Sequence, residues 1–464
     1  MCSENFLPMI IEQLYTNCLA EAAYYIESEG EVAIIDPLRE TEPYLAKANA
    51  NNAKIKFVFE THFHADFVSG HIDLAKETGA QIIYGPKADT SYEVYNAKDG
   101  EKFTLGKLTI EALHTPGHTP ESTCYLLYDE NGKPHAIFTG DTLFVGDVGR
   151  PDLLDGVMTK EELAGMLYDS LNNKIKPLAD DIIMYPAHGP GSSCGKNIGK
   201  ETHSTIGEQK KTNYALQEMS KQEFIEKVTD GMLPPPKYFF EDARINKLGY
   251  ESIDEIMKQN NKALALEDFK KAIENGALVL DTRIPDDFEK GFIKNSISIG
   301  LNGQYAVWVG TLIDIKKPLV LVCDEGKEEE AILRLARVGY ENVKGFLAGG
   351  INTWDEPLDT INSIYPEQIS EYNDAGIVDV RKPGEFANGH VKGAHFLTLS
   401  GMPENLNDLD KNQPYLVHCA GGYRSMIAAS IMKSKGFTSP INVYGGYGKI
   451  QETDVEIESE AVIG

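Results

Sequence analysis

Thr61-His62-Phe63-His64-Ala65-Asp66-Phe67 stands directly behind Ile55-Lys56-Phe57-Val58-Phe59-Glu60, a run rich in β-branched and aromatic residues. Such a run reads as a buried strand, so two imidazoles and a carboxylate arrive together on the loop at its end. Working outward, VAIIDP at 32–37 gives another short apolar strand and DLAKETG at 73–79 a helical stretch; this alternation is the pattern of an α/β fold. Downstream lie His118 within HTPGHTPES, Asp141 within FTGDTLF and His188 within YPAHGPG, each beside a glycine that permits a tight bend. Nitrogen and oxygen donors delivered from successive loops make a metal site. One histidine beside a strand is ordinarily a hydrogen-bonded structural residue, which is the expectation for His71 and His114, with service to a ligand as their alternative. That reading does not account for His62, His64, His118, Asp141 and His188 as a set.

At 464 residues the chain exceeds one ordinary core, so two or three domains are expected. Lysine and arginine number 44 against 71 acidic residues, for a formal charge of -27. Nothing in that balance would release counterions from a phosphate backbone, so a nucleic-acid partner is not expected. No apolar run approaches membrane-spanning length, and the start MCSENFLPMIIEQLY lacks a basic region before its apolar residues, so neither a span nor a secretory leader is expected. The six cysteines have no CxxC spacing. A reducing, cytoplasmic setting fits better than a disulfide scaffold.

The prolines at 234–236 cannot continue the polar helical stretch before them, which places a first domain at 1–235 with a linker at about 231–260. The remainder of the chain is duplicated. ALVLDTRIPDDFEKGFIKNSISI (277–299) and KPLVLVCDEGKEEEAILRLARVGY (317–340) answer to AGIVDVRKPGEFANGHVKGAHFL (375–397) and QPYLVHCAGGYRSMIAASIMKSKGF (413–437). Asp281 recurs as Asp379 and Cys323 as Cys419, so two small α/β domains are expected at 261–360 and 361–464. In the second copy, Cys419-Ala420-Gly421-Gly422-Tyr423-Arg424-Ser425 lies between a strand and a helix, an arrangement that turns backbone N–H groups and a helix N-terminus toward the sulfur. Arg424 adds positive charge. Gly421, Gly422, Tyr423 and Ser425 are candidate substrate-binding residues. In the first copy Cys323 is followed by Asp324-Glu325-Gly326-Lys327-Glu328-Glu329-Glu330, whose carboxylates oppose a thiolate. That site is read as degenerate, its domain kept as packing or as part of a route between sites.

The first domain resembles the metallo-β-lactamase superfamily, whose motif is HxHxDH, and its later His, Asp and His are spaced as in the glyoxalase II-like branch. The resemblance implies an αββα sandwich. Here Phe67 stands where the motif ends in histidine, and a phenyl ring donates no lone pair. A dinuclear hydrolase uses both ions on one bridging water, whereas two histidines and one carboxylate around a single ion leave coordination positions open. Persulfide dioxygenases have the second arrangement within the superfamily fold, and FTGDTLFVGDVGRPDL (138–153) and PAHGPGSSCGK (186–196) are similar to them. That resemblance implies one Fe(II) per chain on His62, His118 and Asp141, with O2 as co-substrate. His64, Asp66 and His188 then hydrogen-bond around the site. Arg150 is either a weak candidate for holding a substrate anion or a loop pin through Asp152. Cys194 is either a sulfur relay or a packing cysteine.

The duplicated half resembles rhodanese domains, sulfurtransferases that carry sulfane sulfur as a cysteine persulfide. Asp379, Arg381, Glu385-Phe386 and Gly389-His390 belong to that resemblance as scaffold. Together the resemblances imply an iron persulfide dioxygenase fused to an inactive and an active rhodanese module, acting on a small thiol persulfide, sulfite and thiosulfate. Homo-oligomers are common in the family. The rival readings are a zinc-dependent, glyoxalase II-like thioester hydrolase and a sulfane-sulfur carrier or sensor without redox chemistry.

Overall fold

The computed structural model describes residues 9–154, 157–232 and 234–459. Cys2 and most of the stretch on which the leader expectation rests lie outside the described residues, as does the end of the last domain. The chain divides into two compact units, one of residues 1–256 with 336–339 and one of the remainder.

The first unit is built on two six-stranded sheets. One runs in chain order through β1 (Ile10–Thr16), β2 (Glu21–Ser28), β3 (Glu31–Ile35), β4 (Lys54–Phe59), β5 (Gln81–Tyr84) and β6 (Tyr95–Asn96). The other orders β7 (Lys102–Leu105), β8 (Leu108–His114), β9 (Thr123–Tyr128), β10 (Pro134–Gly140), β11 (Ile183–Pro186) and β12 (Ser204–Thr205) side by side. Strand periodicity decides the layers. In β2, Ala22, Tyr24 and Ile26 point between the sheets, where they meet Phe57, Phe59, Phe103, Ile110, Tyr125 and Phe138. Ala23 and Tyr25 point outward, into a cluster with Tyr44 and Ala48 of α1 (Glu42–Ala50) and Leu74 of α2 (His71–Thr78). The outer face of the other sheet is covered by Leu167 of α3 (Lys160–Ser170) and by Phe224 and Val228 of a helix at Lys221–Thr229. The result is an αββα sandwich. β2 is buried at every position, so its sequence shows no polar alternation, as expected for a strand covered on both faces.

β4, β8, β10 and β11 each end just before one of the chemistry-bearing segments, at residues 61–67, 115–122, 141–150 and 187–196. The strand-end loops therefore converge on one edge of the sandwich. Beyond the proline run, helix α4 (Tyr238–Leu248) returns to this unit and its Asn246 is fully buried.

The second unit contains two five-stranded sheets of matching order. In the first, all-parallel strands Ala263–Leu264, Val343–Leu347, Leu319–Val322, Leu278–Asp281 and Ile297–Ser298 lie side by side. In the second the corresponding strands are Asn362–Ile364, Pro440–Val443, Tyr415–His418, Gly376–Asp379 and His395–Phe396. The Cys323 and Cys419 strands are central in each sheet, and helices α5 (Glu328–Ala336) and α6 (Tyr423–Ser434) follow their cysteine loops. No helix among the described residues is long and apolar enough to cross a membrane. The described cysteines are all free.

Candidate functional site

In the first unit His62, His118 and Asp141 present ligand atoms within 4.8 Å of one another, and so do His64, Asp66 and His188; all six are buried. Hydrogen bonding fixes which nitrogen each ring offers. His118 Nδ1 lies 2.8 Å from the Arg150 carbonyl, which can only accept, so Nδ1 carries the proton and Nε2 keeps its lone pair. His188 Nδ1 faces the Ala20 carbonyl at 3.2 Å in the same way. His62 Nδ1 lies 2.9 Å from Thr61 Oγ1, whose own hydrogen is given to Asp36 Oδ2 at 2.8 Å, so the ring donates and again frees Nε2. Asp141 divides its oxygens: Oδ2 is 3.4 Å from His118 Nε2 and 3.9 Å from His62 Nε2, while Oδ1 is 3.5 Å from His188 Nε2.

His118 Nε2 and both Asp141 oxygens are buried without a hydrogen-bond partner. Desolvated polar atoms left open in this way are costly, and their convergence fits a bound cation. Burial, reinforced by His64, His118 and His188, pulls His62 well below the usual imidazole range and keeps it a neutral donor. Burial also lowers His188, but Asp66 and Asp141 outweigh it and the net shift is upward.

Several supports carry no sequence motif. His64 Nε2 is 3.0 Å from Asp36 Oδ1 and 3.5 Å from Glu60 Oε2. Phe67 is fully buried, its ring 4.3 Å from that of His64. Asn246 of α4 donates to the carbonyls of His64 and Phe67, both at 2.8 Å, and accepts from Ser69 N at 2.9 Å. The loop after β4 is thus held by a side chain about 180 residues away. His71 hydrogen-bonds Tyr92 and is pushed down to about 3 by burial and then His64; His114 bonds the Pro120 carbonyl. Arg150 grips Asp152 with Nε and Nη2 at 2.6 and 2.8 Å and donates to Ser193 O. Its backbone N–H holds the carbonyl of Cys194, so Arg150 ties down the Cys194 loop. Cys194 shares a cluster with Asp141 and His188, and burial, followed by Asp66 and Asp141, pushes its thiol well up.

In the second unit the Cys419 sulfur accepts the Gly422 N–H at 3.1 Å and lies 3.7 Å from Ser425 Oγ. Gly422 has φ +109°, a conformation that suits glycine, and it starts α6 with its amide aimed at the sulfur. Gly421, on the same loop, is exposed. Arg424 is held by Glu385 through two bonds of 2.7 and 2.8 Å, so its charge is shared with a carboxylate. Cys323, in the matching place, is buried and its thiol is pushed up to about 12 by burial, with Glu328, Asp281 and Asp324 adding to the effect.

Residues 16–188 match the family model for the metallo-beta-lactamase superfamily, and residues 265–357 and 365–453 each match that for the rhodanese-like domain. The chain is 32% identical over 205 residues to the probable hydroxyacylglutathione hydrolase glo2 of Schizosaccharomyces pombe, covering 39% of this chain and 75% of the relative. It is 29% identical to the human mitochondrial persulfide dioxygenase ETHE1, over 50% of this chain and 84% of the relative. A crystal structure of a metallo-beta-lactamase from Staphylococcus aureus superposes with a TM-score of 0.65 at 30% identity, covering 74% of this chain and 98% of that one. With these likenesses and the αββα sandwich and its histidine-lined edge in view, the chain belongs to the metallo-β-lactamase superfamily and carries two rhodanese-like domains behind that part.

Proposed function

We propose that the first unit is a mononuclear iron persulfide dioxygenase and that the last domain passes sulfane sulfur through Cys419. The observation that carries this reading is Phe67, a buried ring where a second metal position needs a donor, beside a trio of His62, His118 and Asp141 whose free atoms suit one ion. Two imidazoles and one carboxylate on one face would hold ferrous iron and leave positions for a persulfide sulfur and for O2, which is the chemistry such a centre supplies. The chain's own groups do the rest. Thr61 with Asp36, and the Arg150 carbonyl, fix the ring orientations of His62 and His118. His188 orients Asp141 from its other oxygen and, with its proton affinity raised by Asp66 and Asp141, can hold a proton there. The overall reaction takes RSS⁻, O2 and water to RSH and hydrogen sulfite, the outer sulfur losing the four electrons that O2 gains.

At Cys419, sulfite attacks the outer sulfur of the cysteine persulfide, the S–S bond breaks with its electron pair left on Sγ, and thiosulfate departs. The Gly422 N–H steadies the sulfur that receives that pair. In the reverse direction thiosulfate loads Cys419. The middle domain, with Cys323 buried and flanked by carboxylates, does not carry sulfur in this reading.

The test is metal content of anaerobically purified protein together with O2 uptake on glutathione persulfide or coenzyme A persulfide. About one iron per chain with O2 uptake and sulfite release is expected. Two zincs per chain without O2 uptake would overturn the reading. Phe67→His sharpens it, since restoring the donor should raise the metal bound toward two per chain. A zinc-dependent thioester hydrolase is the second reading, favoured by the proximity of His64, Asp66 and His188 and by the similarity to a hydroxyacylglutathione hydrolase. Hydrolysis of S-lactoylglutathione without O2 uptake would select it. Persulfide loading at Cys419 with a chemically silent first unit would instead mark a carrier or sensor.

A further inference from the structure

The middle domain retains a feature that a mere spacer does not need. Its segment Gly300-Leu301-Asn302-Gly303 follows strand Ile297–Ser298, and Arg334 of α5 clamps it from below, donating to Leu301 O at 2.7 Å and to Gly303 O at 3.0 Å. Leu301 N adds a bond to Thr282 O at 3.0 Å. Arg334 is 6% exposed, so this is a buried cation, paired with Glu330 Oε1 at 3.4 Å, that also serves two backbone carbonyls. The segment also receives a side chain from the last domain. Tyr423 donates its hydroxyl to Gly300 O at 2.7 Å. Its ring stands over Gly303 so closely that a Cβ there would lie 2.5 Å from Cζ and 2.7 and 2.8 Å from the two Cε atoms. Position 303 must therefore be glycine for Tyr423 to sit where it does.

Tyr423 is the first residue of α6, immediately after Gly422, whose N–H meets the Cys419 sulfur at 3.1 Å. Further along α6, Ser430 Oγ accepts from Ser298 N at 3.0 Å, and Met426 and Ala429 share a buried cluster with Phe288 and Phe292 of the middle domain. The helix that begins at the sulfur is thus seated on the degenerate domain along its length, with Tyr423 as the anchor nearest the chemistry.

We propose that the middle domain is the positioning platform of the Cys419 loop. Arg334 holds the 300–303 segment, that segment holds Tyr423, and Tyr423 holds the Gly422 amide on the sulfur. Tyr423 is a positioning residue and acts through Gly422. The hydrogen bond it maintains matters most when the outer sulfur leaves and Sγ takes the electron pair, so its loss slows turnover more than it weakens thiosulfate binding. The proposal rests on the reading of Cys419 as the sulfur carrier.

A double-mutant cycle in the full chain tests it, with thiosulfate as donor and cyanide as acceptor. Gly303→Ala should lower kcat about ten-fold while the thiosulfate KM moves less than two-fold. In a Tyr423→Ala background, where the ring that the new methyl would strike is gone, Gly303→Ala should change kcat less than two-fold. Equal costs in the two backgrounds would overturn the proposal. Should Gly303→Ala fail to fold, Tyr423→Phe and Arg334→Met form a second cycle, in which the double variant should be no slower than the slower single one; additive losses would again overturn it. A purely structural role would appear as a lowered melting temperature with kcat per folded chain unchanged. Cys419→Ala separates the layers, because sulfurtransfer that survives it refutes the carrier reading itself, whereas its loss together with an additive cycle refutes only the platform.

Discussion

The Cys323 and Cys419 loops stand on frames that are nearly superimposable in their bonding. In the middle domain Arg283 bonds both oxygens of Asp281 and gives Nη2 to Gly291 O at 2.9 Å. In the last domain Arg381 bonds both oxygens of Asp379 and gives Nη2 to Gly389 O at 2.7 Å. Each sheet has the same strand order, and each cysteine directly follows the central strand. The loops then part. One closes around its sulfur with glycines and an amide, and the other runs into carboxylates. The buried Asp–Arg pair stands under both loops although their sequences differ, so that pair serves the fold.

The largest effect that could break this comparison is on turnover. Cys419→Ala should abolish thiosulfate-to-cyanide transfer, while Cys323→Ala should leave it within about two-fold, because a thiol held up near 12 is almost entirely protonated at neutral pH. Next come the frames. Removing one partner of a buried ion pair strands the other charge at a cost of about 3–5 kcal/mol, so Asp281→Ala and Asp379→Ala should destabilise to similar extents in urea denaturation even though the two frames carry different cysteine loops. A large difference between them would mean that the active loop alters its own foundation.

A third expectation concerns pH. A raised thiol pKa favours the protonated form, so the thiolate of Cys323 forms only as pH climbs toward about 12. At pH 8 the thiol is overwhelmingly protonated, and iodoacetamide should leave Cys323 unlabelled in the folded protein. Mass spectrometry of the alkylated chain checks this, and labelling of Cys323 at pH 8 would contradict its burial. The smallest effect is the most specific. Glu385→Gln releases Arg424 from its carboxylate, so the thiosulfate KM should fall by about three-fold as the arginine meets a dianion, with no change for Cys323.

What could be read in the sequence was whatever sits close to its own strand. The candidate donors come within a few residues of strand ends, and the Asp-x-Arg and cysteine positions recur 98 and 96 residues apart, so an α/β first domain and a duplicated second half are legible from local pattern, while the αββα sandwich and the rhodanese-like folds follow from family resemblance. What could not be read depends on pairs brought together only by folding. Asp36 was visible merely as the end of an apolar run, and nothing there says that it buttresses both His62, through Thr61, and His64. Asn246 lies in a stretch without any motif, yet it bonds the carbonyls on both sides of Asp66. Arg424 read as a free charge on the loop, and its pairing with Glu385 depends on the geometry of another loop. Single polar residues of this kind carry no periodicity, and their meaning is set by the partner.

Asn246 also bears on where this polypeptide can be cut. The proline run at 234–236 is the obvious place for a protease or a genetic engineer to sever the αββα sandwich, but α4 and its asparagine come after it. Cleavage there would leave three backbone groups of the 64–69 segment without the amide that satisfies them, along with the carbonyl of Ser69 that Tyr250 caps. A transplanted αββα sandwich would have to travel with its downstream helix through Tyr250, so the swappable module extends past the seam that the proline-rich stretch advertises.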